Sequence, residues 1–91
     1  MNWTNWTWDP NKNRENIRKH RIDFPTALLV FLDLDLVMEE DYFPAEQRWR
    51  TIGMVAQRVL LVVHTLPFQD EPGRIISARK AESYERGKWL N

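Results

Sequence analysis

The chain has 91 residues, thirteen Lys/Arg against thirteen Asp/Glu, and no cysteine. That length supports one domain, residues 1–91, with one modest core; the lack of cysteine removes disulfides and thiolate zinc sites and fits a reducing cytoplasm. Apolar runs such as Val59 to Val63 are far too short to span a bilayer, and a zero net charge argues against a grip on nucleic acid by bulk charge alone.

The charges are nonetheless sorted along the chain. Asn11 to Arg21 holds five Lys/Arg against Glu15, Ile22 to Glu46 holds seven acids and no Lys or Arg, and Gln47 onward holds eight Lys/Arg against four acids. A basic patch built from the first helix and the late strands is compatible with the neutral total.

In chain order, Trp6 and Trp8 alternate as in a short strand that would cover one side of the core, leaving Trp3 over. Asn2-Trp3-Thr4 and Asn5-Trp6-Thr7 match the N-glycosylation pattern, but no apolar h-region precedes them, so no secretion and no modification are expected. Asp9-Pro10 is a strong helix start, an N-cap followed by proline at the first helical position. The helix should run to about His20, with Lys12, Asn16, Lys19 and His20 near one face and Ile17 its only large apolar residue. That polar face is either a solvated cap on the sheet or a working surface, and Lys19, His20 and Arg21 also complement the helix dipole.

Asp23 caps a second helix opened by Phe24-Pro25, with Ala27, Leu28, Val30, Phe31 and Leu32 directed inward. The Asp33 to Glu40 alternation predicts a first main strand over 34–39, and its acids suit a solvated edge better than a cation loop. Gln47 to Met54 is the second strand, with Arg48, Arg50 and Ile52 on one face. Val59 to Thr65 is the third, apolar on both faces and therefore central, with His64 on the face of Leu60 and Val62. A histidine there is more often structural than catalytic. After a proline-containing loop over 66–73 comes the fourth strand, which runs out at Arg79. The period of two puts Ile75, Ser77 and Arg79 on one face and Arg74, Ile76 and Ala78 on the other. Arg79 and Lys80, at the end of a rigid strand beside small residues, suit an anion such as phosphate, or are simply solvated. Glu82 to Leu90 closes the chain as a helix. The sum is an α+β domain: a mostly antiparallel four-stranded meander with two N-terminal helices and one C-terminal helix.

Trp6-x-Trp8-Asp9-Pro10-x-Lys12, Asn16, Lys19-His20, Phe24, Ala27, Phe31, Arg48-Trp49, Ile52-Gly53, Leu61-Val62-Val63-His64-Thr65, Arg74-Ile75-Ile76-Ser77-Ala78-Arg79-Lys80-Ala81 and Glu85-Arg86 together resemble the BrnT family of toxins over almost the whole chain. Trp6 stands where members often have Phe, and the loop over 66–73 contains prolines where a short charged turn is more usual. The resemblance implies a RelE-like fold and a metal-independent endoribonuclease that inhibits translation and growth. It also implies a BrnA-like antitoxin that neutralises the toxin in a two-plus-two complex, touching DNA only through the antitoxin, with no cofactor and no membrane.

For cleavage through the substrate's 2′-hydroxyl, the chain must remove a proton, stabilise phosphate charge and protonate the leaving oxygen. His20 is the first candidate for proton transfer and His64 the reserve. Lys19 and Arg79 are the candidate phosphate stabilisers, with Arg50 or Arg48 lining the same groove. Lys12, Asn16, Arg74 and Lys80 either bind substrate or hold the helix on the sheet. This reading requires His20 and Arg79 to converge on one cleft. The competing reading is a non-enzymatic module, or an inactivated toxin, whose basic surface holds an acidic partner segment. A direct DNA-binding role lacks a helix-turn-helix or ribbon motif.

Overall fold

A computed structural model describes residues 5–91; what was expected of Asn2 and Trp3 lies outside them. The elements are β1 (Trp6–Trp8), α1 (Pro10–His20), α2 (Phe24–Ala27), a 3₁₀ helix (Leu28–Leu32), β2 (Val37–Asp41), β3 (Arg48–Val55), β4 (Arg58–His64), β5 (Gly73–Lys80) and α3 (Ser83–Leu90). One sheet runs in the order β1-β5-β4-β3-β2. The antiparallel meander over β2 to β5 is as expected. The sheet has five strands, however, because β1 pairs in parallel with the first half of β5, Trp6 opposite Gly73 and Trp8 opposite Ile75. Gly73 permits this: a Cβ there would lie 2.6 Å from the Trp6 ring.

The first main strand begins at Val37 rather than Leu34. Asp33 causes the shift, because its carboxylate accepts the Asp35 N–H at 2.9 Å, the Met54 N–H at 2.7 Å and the Trp89 indole N–H at 2.7 Å. A side chain that bonds the backbone two residues on closes a turn, so the Asp-Leu alternation is spent on a bend and Leu34 is 99% exposed. Leu32, expected inward, is also mostly exposed. At the other end of β3, Ala56 and Gln57 take φ of 49° and 69°, the left-handed pair that matches a two-residue hairpin to strand twist.

The core sits mainly on one face of the sheet, where Ile22, Phe24, Ala27, Leu28 and Val30 meet Val55, Leu60, Val62, Ile75 and Ala78. The opposite face carries α3, with Trp89 and Ala81 against Ile52, Val59 and Leu61. Eight residues of helix reach only part of that face, and Arg50, Val63, Ile76 and Ser77 beyond it stay half-buried.

The polar helix α1 is attached by carboxamides rather than by apolar burial. Its start is as expected, with Asp9 accepting the Asn11 N–H at 2.8 Å. β1 ends beside Ile75, so the second half of β5 is left without a strand on that side. Asn16 fills the gap: it donates to the Ala78 carbonyl at 2.8 Å and accepts the Ala78 N–H at 3.1 Å, as a neighbouring strand would. It also donates to the Ile22 carbonyl at 2.9 Å, and Asn13 accepts the Phe24 N–H at 2.8 Å.

Candidate functional site

The position of each basic side chain follows from the sheet register. Between Val63 and His64 the register with β5 shifts, so that Val63 faces Ser77 while His64 faces Ile75. Ile76 is the extra residue of a β-bulge. The simple alternation is therefore broken, and Ile75 and Ala78 share the main core while Ser77 and Arg79 lie on the opposite face. Counting back from Ile75, Arg74 joins that opposite face. Arg48 and Arg50 of β3 are there too, since Arg50 pairs with Val63, whose neighbour Leu61 packs under α3.

Four guanidinium groups from β3 and β5 thus look out from one side of the sheet, each held by carboxylate. Arg79 binds Glu85 through two parallel contacts of 2.8 Å. Arg50 reaches Glu39 at 3.2 Å and Asp41 at 3.6 Å. Glu46 holds Arg48 at 3.0 Å and Arg74 at 2.5 Å with a single oxygen. Arg48 also lies over the Phe43 ring, 3.8 Å from its centre. Lys88 joins the row through Glu39 at 2.9 Å. Such forked pairs are fixed in orientation as well as in charge.

The electrostatics agree with the geometry. The hydrogen bond from Arg48, followed by that from Arg74, pulls the Glu46 carboxyl below its ordinary range despite some burial. Burial pushes Glu85 upward, but the hydrogen bonds from Arg79 and from the Glu82 N–H bring it below its usual value. The same contact with Glu85 raises Arg79. Arg50 Nε is buried and, among the described residues, makes no hydrogen bond. It is a donor already stripped of water.

The other expected site residues stand elsewhere. His64 is completely buried on the main-core face, edge-on to Trp6 and Phe31. Its Nδ1 lies 2.7 Å from the Thr65 carbonyl and must donate to it, so Nε2 accepts from the Thr51 hydroxyl at 2.6 Å. Burial lowers its pKa from 6.5 to about 4. It is a neutral structural histidine, and the reserve acid or base read from the sequence is corrected accordingly. Asn16 is likewise a buried fastener rather than an exposed substrate contact.

Lys12, Lys19 and His20 are exposed on α1, which packs along the edge of β5 and the main core, whereas Arg79 projects under α3. The expected convergence of His20 with Arg79 is therefore replaced by separation to the two sides of β5, and no hydrogen bond or ion pair joins them among the described residues. Lys19 lies 3.7 Å from Glu15. Lys80 is exposed on the α1 side of β5, opposite Leu60. Sequence reasoning missed the carboxylates Glu39, Asp41 and Glu46 as partners. A signal for two of them existed: Glu39 pairs with Arg50 and Asp41 with Arg48 across the β2–β3 ladder, the opposite-charge arrangement that favours such a register. Among the described residues no three His, Cys, Asp or Glu side chains are grouped so as to hold a metal ion.

What the arrangement can do is present a row of oriented guanidinium groups, spanning two strands, to successive anionic groups of an extended ligand. The model of a family described as "Ribonuclease toxin, BrnT, of type II toxin-antitoxin system" matches residues 8–85. The chain is also similar to the Brucella abortus ribonuclease toxin BrnT, solved by crystallography at 1.1 Å. The identity is 28%, with 84% of this chain and 94% of that chain covered and a TM-score of 0.62. No curated protein matches.

Proposed function

The chain belongs to the BrnT family of ribonuclease toxins of type II toxin–antitoxin systems, and we propose that it cleaves RNA on the half-covered sheet face carrying Arg48, Arg50, Arg74 and Arg79. The observation that carries the proposal is the row itself: four guanidinium groups of β3 and β5 on one side, each aligned by a carboxylate that a phosphodiester can displace. In this reading the 2′-oxygen of the substrate attacks the adjacent phosphorus and the bond to the 5′-oxygen breaks. The products are a 2′,3′-cyclic phosphate and a 5′-hydroxyl, the 2′-proton passing to a base and a proton reaching the leaving oxygen. No metal is required. Arg50, whose buried Nε makes no hydrogen bond among the described residues and has only the Asp41 carboxylate 3.6 Å away, and Arg79 stabilise charge on the phosphate oxygens, which is where preorganised donors contribute most. Lys12, Lys19, His20 and Lys80, on the other side of β5, attract the polyanion without touching the reacting atoms.

A RelE-like fold and cytoplasmic action on translation fit this reading. So does neutralisation by a BrnA-like antitoxin in a two-plus-two complex, because acidic side chains of a partner would occupy the arginine row in place of phosphate. A purely non-enzymatic module would bind such a partner equally well, and cleavage separates the two.

The test uses purified chain, labelled RNA and excess EDTA. Cleavage should persist in EDTA and leave 2′,3′-cyclic phosphate ends. Arg50→Gln should lower the rate by on the order of a hundredfold, with RNA binding reduced much less, and His20→Ala should change it only slightly. Loss of cleavage in His20→Ala with Arg50→Gln intact would move the chemistry to α1 and overturn the assignment. Intact RNA together with tight antitoxin binding would favour the non-enzymatic module.

A further inference from the structure

One end of the arginine row opens into a hollow that the cleavage reading leaves unused. Between β4 and β5 the chain folds back on itself: Phe68 and Glu71 exchange two backbone hydrogen bonds of 3.0 and 2.9 Å around Gln69, which takes φ of 54°. This small hairpin walls a cavity of about 580 Å³ whose lining includes Glu46, Phe68, Asp70, Glu71 and Arg74. The volume lies within the usual range for small-ligand sites. Two of its lining residues, Arg74 and Glu46, belong to the row itself, so a chain of phosphates seated on the arginines passes the mouth of this cavity.

We propose that this cavity is a base-selecting subsite that takes a guanine next to the scissile phosphate. The inference rests on the cleavage reading for its RNA substrate and adds the specificity to it. Three observations converge. Phe68 is 71% exposed, on a hairpin pinned by its own backbone bonds, and presents an aromatic surface of the kind on which unpaired bases stack. Arg74, paired with Glu46, is among the residues that line the cavity and supplies a cation for the phosphate of a bound nucleotide. Beside Thr65 and Gln69, the wall carries two free carboxylates: the Asp70 and Glu71 side chains are exposed and make no ion pair or hydrogen bond among the described residues.

A carboxylate offers two neighbouring acceptors. Of the four RNA bases only guanine presents two neighbouring donors, N1–H and N2–H₂, on its Watson–Crick edge. Adenine and cytosine pair one amino donor with an acceptor, and uracil sets its single N–H between two carbonyls, so each would turn at least one lone pair toward the carboxylate. The closest analogue, Glu or Asp accepting from a base amino group, discriminates appreciably.

The experiment compares four oligoribonucleotides that differ only in whether G, A, C or U occupies one position, together with 5′-GMP and 5′-AMP titrations followed by amide shifts in NMR. The wild-type chain should cleave the guanine substrate roughly ten- to hundredfold more efficiently than the others. Glu71→Gln combined with Asp70→Asn should shrink that ratio, and Phe68→Ala should raise KM. 5′-GMP should shift the amides of Leu66 and of residues 68–71 while 5′-AMP at equal concentration should not. Equal cleavage of all four substrates, or a guanine preference that survives the double variant, would overturn the proposal. Should the chain cut no RNA yet bind 5′-GMP at residues 66–72, the cleavage reading fails and the pocket stands. Cleavage without base preference and without a 5′-GMP response refutes the pocket alone.

Discussion

Replacing Asn16 by alanine should come close to unfolding the protein, although Asn16 is polar and sits on a helix with only one large apolar residue. Three hydrogen bonds disappear, to Ala78 N–H, Ala78 C=O and Ile22 C=O. A neutral hydrogen bond contributes about 1 kcal/mol net, and a buried group left without a partner costs roughly 1–3 kcal/mol. Asn16 is 6% exposed and Ala78 fully buried, so water cannot freely replace the carboxamide, and the loss should total about 3–5 kcal/mol. Small domains have on the order of 5–15 kcal/mol of stability in all. With a urea slope of about 1 kcal/mol/M for a chain of this size, the tryptophan-fluorescence midpoint should fall by about 3–5 M. Asn13→Ala removes a single bond, to Phe24 N–H, and should lose about 1 kcal/mol. Asn16→Asp keeps an acceptor for Ala78 N–H but turns an oxygen toward two carbonyls, so it should do no better than alanine. An Asn16→Ala midpoint within about 0.5 M of wild type would show that α1 is held by something other than this carboxamide, and would reopen Asn16 as a substrate contact.

His64 should make the fold sensitive to mild acid. Its pKa in the folded chain, about 4 against 6.5, means that the unfolded chain binds the proton more readily. Stability is then full above pH 6.5 and falls as the pH drops toward 4, by about 3 kcal/mol in all, a loss absent from His64→Phe if urea midpoints are followed at pH 7 and pH 5. In the α3 region, Arg79→Ala leaves Glu85, 3% exposed, without its forked partner. Breaking a pair of this kind from one side destabilises by roughly 3–5 kcal/mol when it is buried; with Arg79 about one-third exposed, about 2 kcal/mol is the appropriate scale. Thermal unfolding should show that loss relieved in Arg79→Ala combined with Glu85→Gln, which removes the stranded charge but keeps an acceptor for the Glu82 N–H, and an unrelieved double variant would assign Arg79 some other structural partner.

Local signals were legible in the sequence and long-range ones were not. Asp9-Pro10 fixes the start of α1 because a cap depends only on neighbours, and the apolar run around Leu61 marks the central strand because both its faces are covered. The alternation of Trp6 and Trp8 suggests the short strand β1, but three residues do not say that it joins the sheet; its parallel pairing depends on β5. The bulge at Ile76 arises from a mismatch with β4, invisible in β5 alone, yet it decides which face Arg74 and Arg79 share. The basic residues of the row were identifiable by type and by the register of β3. Glu46 was not, because it reaches Arg74 across 28 residues of chain. His20 was favoured for its chemistry, and chemistry alone does not say on which side of a strand a helix lies.

The carboxylates that align the arginines also explain how a chain of zero net charge can present a cationic row. Each guanidinium is neutralised at close range, so from beyond a Debye length of about 8 Å the face is nearly silent. Non-specific attraction to nucleic acid scales with the cations left free to displace counterions, and here most are already occupied. Binding then depends on exchange: a phosphodiester must meet several arginines in register to outcompete Glu39, Asp41, Glu46 and Glu85, and an isolated phosphate gains little. In the proposed cleavage the exchange would also leave the displaced carboxylates beside the RNA backbone, and Glu39 and Glu46, about one-third exposed, would be the candidates to take a proton from a 2′-hydroxyl. The lowered proton affinity of Glu46 comes chiefly from its hydrogen bonds with Arg48 and Arg74. On the proposed mechanism, arginines that turned to phosphate would remove that cause, and the carboxylate would become a stronger base with a substrate in place.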